Sequence, residues 1–83
     1  MPNSSQPSDR VDAAVQALLR STLIDYRTRH DLSRSRFAER VGLSLWMISM
    51  FEKGDRQLSL DGALRVCHAM DVKLWEILKE VEE

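Results

Sequence analysis

Cys67 and His68 stand side by side, and each is of a type that ligates metals or moves protons. On a helix such neighbours point about 100° apart, so the two do not converge on one ion. Cys67 also falls on an apolar line and reads as packing. His30 closes a helical pattern, where the helix dipole favours a positive imidazole. A solvated helix end explains it without catalysis. The chain holds no second cysteine, no His-Glu-x-x-His, no Gly-rich phosphate loop and no nucleophile elbow. These residues give no basis for an enzyme, and neither cofactor nor metal is expected. The chemistry that remains is charge. The net charge is −1, but residues 20–65 carry nine Arg and Lys against six Asp and Glu, while residues 66–83 carry two against five. A mildly basic middle and an acidic tail are compatible with phosphate contact, although solvated surface is the commoner cause of such an asymmetry.

The stretch that would position this charge is Ser33–Gly54. Two short helical patterns meet there at Gly42. Ser33 and Ser44 stand where each helix begins, and a serine hydroxyl there accepts a bond from a free first-turn amide. Phe37, Ala38 and Val41 give the first helix one apolar edge; Ile48 and Phe51 do the same for the second. Gly42 permits a left-handed turn, and Gly54 ends the second helix in the same way. Two helices joined by about three or four residues containing Gly follow the helix-turn-helix plan.

The rest of the chain reads as support. Eighty-three residues make one small domain with a modest core. Aromatic residues are 6% and β-branched runs are few, which favours a helical bundle over a sheet. Residues 1–8 read as a disordered polar tail, and residues 9–83 as the folded domain. Ser8 or Asp9 offers a cap for a helix whose stripe is Val11, Ala14, Val15, Leu18, Leu19, Leu23 and Tyr26, ending near Arg29. Asp31 tolerates the left-handed conformation that stops it. Ser59 caps a fourth helix with a buried line of Leu60, Ala63, Leu64, Cys67 and Met70. A last helix, from about Leu74 to Val81, buries Leu74, Ile77 and Leu78. A lone cysteine fits a reducing compartment, no apolar run approaches the roughly 20 residues of a membrane span, and the start lacks signal-peptide features. A cytoplasmic protein is expected.

Residues 23–78 resemble the Cro/C1-type helix-turn-helix family, also called the XRE family. The likeness is carried by Leu32-Ser33, Phe37-Ala38-Glu39-Arg40-Val41-Gly42, Ser44, Ile48-Ser49, Phe51-Glu52-Lys53-Gly54 and Ala69-Met70-Asp71-Val72. It spans about two thirds of the chain. The resemblance implies an all-α, five-helix, lambda-repressor-like domain, here with an extended N-terminal helix. It implies a sequence-specific transcriptional regulator that binds the major groove of double-stranded DNA as a homodimer. Carried over, the base-facing positions are Ser44, Leu45, Trp46, Met47 and Met50. Phosphate contacts fall to Arg34, Arg36, Lys53, Arg56 and Gln57, at the amino end of the second helix and in the loop after the third. Arg27 and Glu52 match the family's structural ion pair between the first helix and the recognition helix.

The sequence departs from that pattern on the recognition helix. Residues that read bases are usually polar, with donors and acceptors that match the groove. Leu45, Trp46, Met47 and Met50 cannot form bidentate bonds to guanine or adenine; thymine methyls and one indole N–H are what they offer. Leu45 or Met47 can share the inward edge with Ile48 and Phe51, whereas Trp46 and Met50 are expected on the exposed face. An exposed Trp–Met pair also suits a protein contact. A second reading therefore stands: a helix-turn-helix scaffold whose apolar recognition helix binds a protein partner, antitoxin- or co-regulator-like. The helix ahead of Leu23 also has two readings. It lengthens the core, or it forms a dimer seam through Val11, Val15 and Leu18, with Trp75 and Val81 as further candidates.

Overall fold

The computed structural model describes residues 7–82, and every element among them is helical. The order is α1 Pro7–Arg29, α2 Arg34–Val41, α3 Leu45–Lys53, α4 Leu60–Ala69 and α5 Leu74–Glu82. α1 begins at Pro7, ahead of the cap expected at Ser8 or Asp9, so residues 7 and 8 belong to the helix and not to a tail. Proline suits the first helical position because its fixed φ is already helical and its missing N–H is not needed there. Residues 1–6 of the expected tail lie outside the described residues.

The serine caps expected for α2, α3 and α4 are made. Ser33 Oγ accepts from Arg36 N at 3.1 Å, Ser44 Oγ from Met47 N at 3.0 Å and Ser59 Oγ from Gly62 N at 3.1 Å. The stops are left-handed residues: Asp31 at φ 54°, Asp71 at φ 57°, Gly42 at φ 75° and Gly54 at φ 84°. At Gly42 a side chain would also crowd its neighbours, since an added Cβ would sit 2.8 Å from Arg65 Nη1.

α1 runs along α3 and α5, while α2 packs on α3 and α4. The core between them holds Leu19 and Leu23, Phe37, Ile48 and Phe51, and Val66, all fully buried. Burying each such side chain is worth about 1.5–3 kcal/mol, so these six carry much of the folding drive.

Three apolar lines differ from expectation: on α1, Val11 and Ala14 of the expected stripe are exposed. On α4 the buried line is Gly62, Ala63, Val66, Cys67 and Met70, whereas Leu60 and Leu64 are exposed. The stripe is rotated because Gly62 turns inward: a Cβ there would lie 3.4 Å from Leu58 Cδ2. Leu58, in the loop between α3 and α4, is a core residue. On α5 Ile77 is buried, Leu74 is half-buried and Leu78 is 39% exposed. The Cys67 thiol is pushed up by burial, which keeps it protonated and consistent with packing.

The helix ahead of Leu23 serves the core. Val15 is buried there, and Leu18 packs partly against the same cluster. Gln16 is buried as well, and its amide clamps the loop ahead of α4. Gln16 Nε2 donates to Leu58 O at 2.9 Å, and Leu58 N donates to Gln16 Oε1 at 2.9 Å. Val15, expected in a dimer seam, is buried against the core at 9% exposure. Val11 and Trp75 remain exposed, and Val81 leans on the core.

Candidate nucleic-acid interface

α2 and α3 meet across Gly42–Ser44, and the far end of α3 is tied down twice. Arg20 donates from Nε to Phe51 O at 2.6 Å, with its guanidinium 5.0 Å from the centre of the Phe51 ring. One residue later, Glu52 receives Arg27 through a fork, Nε to Oε2 at 2.8 Å and Nη2 to Oε1 at 2.9 Å. Arg27 also donates to Leu32 O at 3.0 Å, which fixes the entry to α2. The expected Arg27–Glu52 pair thus holds three elements together. Arg20 was not singled out from the sequence. The signal was its place seven residues before Arg27, two turns back on the same face of α1.

The Glu52 pair is in fact a triad, since Arg34 Nε donates to Glu52 Oε1 at 3.0 Å. The Glu52 side chain is only 3% exposed. Burial alone would push its carboxyl up, but hydrogen bonds from Arg27 and Arg34 and their charges outweigh that and hold it below the usual carboxylate range. Arg27 is held above its ordinary value by its bond to Glu52, with desolvation opposing. Arg34, expected at phosphate, spends its Nε on Glu52 and keeps the rest of its half-exposed guanidinium toward solvent.

Arg36, Lys53, Arg56 and Gln57 are exposed. On α3, Leu45 and Trp46 are 47% and 53% exposed. Met47 packs partly on the core, so of the two residues that could lean inward it is Met47 that does. Met50, expected on the open face, is half-buried, because a nine-residue helix between α1 and α2 has little free circumference. Ser44 is exposed, with its hydroxyl oxygen used as the cap of α3. Arg56 reaches back from the loop and sets its guanidinium 4.9 Å from the centre of the Trp46 ring.

This geometry offers charge and an apolar ridge. Among the described residues, no group of three His, Cys, Asp or Glu could hold a metal ion. None of their helices is long and apolar enough to cross a membrane. His30 stacks on Tyr26 with ring centroids 4.2 Å apart, just past the end of α1.

A second helix held at its far end and open along its outer side defines a helix-turn-helix protein. The family comparison agrees: a helix-turn-helix family model matches residues 23–76. The chain belongs to the Cro/C1-type helix-turn-helix (XRE) family, a family of DNA-binding transcriptional regulators. Among solved structures, the clp gene regulator ClgR from Corynebacterium glutamicum is similar, with a TM-score of 0.66 at 24% identity over 82% of this chain and 72% of that chain. At that identity the likeness speaks for the fold alone. No curated protein matches the chain.

Proposed function

We propose that this protein is a sequence-specific transcriptional regulator that inserts α3 into the major groove as a homodimer. It has no enzymatic role in this reading and works in the cytoplasm. The observation that carries the reading is the double anchoring of α3 by Arg20 and Arg27, which presents the Leu45–Trp46 face as a rigid edge. Around that edge, Arg36, Lys53 and the open side of Arg34 can meet phosphates, and phosphate contacts set register and orientation on a duplex.

The homodimer has its own support. An apolar groove of about 440 Å³ runs between α1, α4 and α5, with Val11, Val15, Leu60, Ala63, Leu74 and Leu78 in its walls. None of its lining comes from α2 or α3, so a second copy seated there would leave both recognition helices free for half-sites about 34 Å apart. The exposed Leu45 and Trp46 also favour one other reading, a protein partner on α3.

Salt separates the two. A dimer that neutralises about six phosphates should bind random duplex DNA with a log–log salt slope of roughly −5, a loss of about a thousandfold between 50 and 200 mM. An apolar protein contact would scarcely respond. Fluorescence anisotropy on a labelled duplex measures the slope, and no binding at 50 mM salt would remove the DNA reading.

A further inference from the structure

α3 exposes no side chain at its start that can make a two-point bond to a base: Leu45 and Trp46 are the open residues there, while Met47 and Met50 are partly covered. In the folded chain a guanidinium nevertheless stands beside its first turn. Arg56 follows α3 in sequence, yet its side chain comes back to the second residue of the helix and lies over the Trp46 ring at 4.9 Å. Among the described residues Arg56 has no carboxylate partner, unlike Arg27 and Arg34. A ring beneath a guanidinium holds its plane and leaves its N–H edge free. An arginine edge is the side chain that fits guanine O6 and N7, the commonest specific contact in the major groove.

We infer that Arg56, held over Trp46, makes the directional base contact that the first turn of α3 lacks and reads a guanine in each half-site. Trp46 is then a positioning residue, and its exposed ring with Leu45 lines the adjacent apolar surface. This inference rests on the DNA reading above. It differs from a phosphate role for Arg56 in a measurable way. A phosphate contact lowers affinity for every sequence alike, whereas a base contact changes which sequences are preferred.

The test is selection of binding sites from a random duplex pool by the full chain, its R56K and R56A forms, and its W46F and W46A forms. Both side chains are exposed, and circular dichroism checks that each form folds. The wild type should select sites with guanine at one fixed position per half-site, and replacing that guanine by adenine should weaken it roughly tenfold or more. R56K keeps the charge but loses the planar, stacked fork, so it should bind random duplex within about twofold of wild type and show a weakened guanine preference. W46F should keep the preference, and W46A should lose most of it. Unchanged guanine preference in R56K, or selected wild-type sites with no fixed guanine, overturns the inference. So does R56A binding every sequence more weakly by one factor with a salt slope shallower by about two, one for each protomer, the mark of a phosphate contact. Full discrimination by W46A overturns the role of the ring. If the wild type enriches no site and does not bind random duplex, the DNA reading itself fails.

Discussion

Glu52 concentrates more of this molecule than any other side chain. A carboxylate that is 3% exposed and shared by Arg27 and Arg34 joins α1, α2 and α3. Its folded pKa lies below its unfolded value of about 4.3, so the stability it adds is complete above that pH and is lost as pH falls through the native value. Urea unfolding at pH 7 and pH 3.5 should therefore show a marked acid loss in the wild type. E52Q should be less stable by about 3 kcal/mol at pH 7, because a part-buried Arg27 loses its partner, and its acid loss should be smaller. Equal acid losses in the two proteins would mean that the carboxylate does not stabilise the fold. The Arg27–Glu52 pair was legible through the family pattern. Arg34 as a third member was not, since its spacing to Glu52 crosses two helices and a turn.

At the scale of the element, the helix boundaries of α2, α3 and α4 followed from local chemistry. Ser33, Ser44 and Ser59 cap them, and Gly42 and Gly54 close the first two. The α1 extension was legible as a helix but not as to what it touches. Gln16 decides that by bonding both backbone groups of Leu58. Q16A leaves a buried N–H and C=O without partners, which costs about 2–4 kcal/mol. Chemical denaturation should register that loss, and a change under 0.5 kcal/mol would mean that water replaces the amide. Removal of residues 1–20 would take Val15, Gln16 and Leu19 out of the core and should destabilise the fold.

For the whole molecule, most of the exposed apolar residues fall on two surfaces, with Leu64 and Trp75 outside both. Leu45 and Trp46 lie on α3, whereas Val11, Leu60 and Leu78 line the groove of α1, α4 and α5. The first surface is assigned to DNA and the second to a second copy. L78E places a charge in that groove at a site with little core burial, so the fold should persist while the dimer dissociates by tenfold or more. Sedimentation equilibrium reads the change. A wild type that is monomeric at hundreds of micromolar, or an L78E form that dimerises equally well, would dismiss the groove as the interface. Because DNA binding by a dimer depends on both half-sites, L78E should also flatten the salt slope toward half its wild-type value.

What the letters alone determined was everything that depends on neighbours in sequence. That covers five helices, their serine and glycine boundaries, the Gly42 turn and the family to which residues 23–76 belong. A cap bond, a left-handed turn and a 3.6-residue stripe involve residues only a few positions apart, so their spacing is visible in one dimension. Tertiary packing decided how each helix is rotated about its axis. It sent Val66 inward and Leu64 outward, covered Met50, joined Arg34 to Glu52 and laid Arg56 on Trp46. Those outcomes depend on which face a neighbouring helix leaves open, and no pattern within a single helix contains that information.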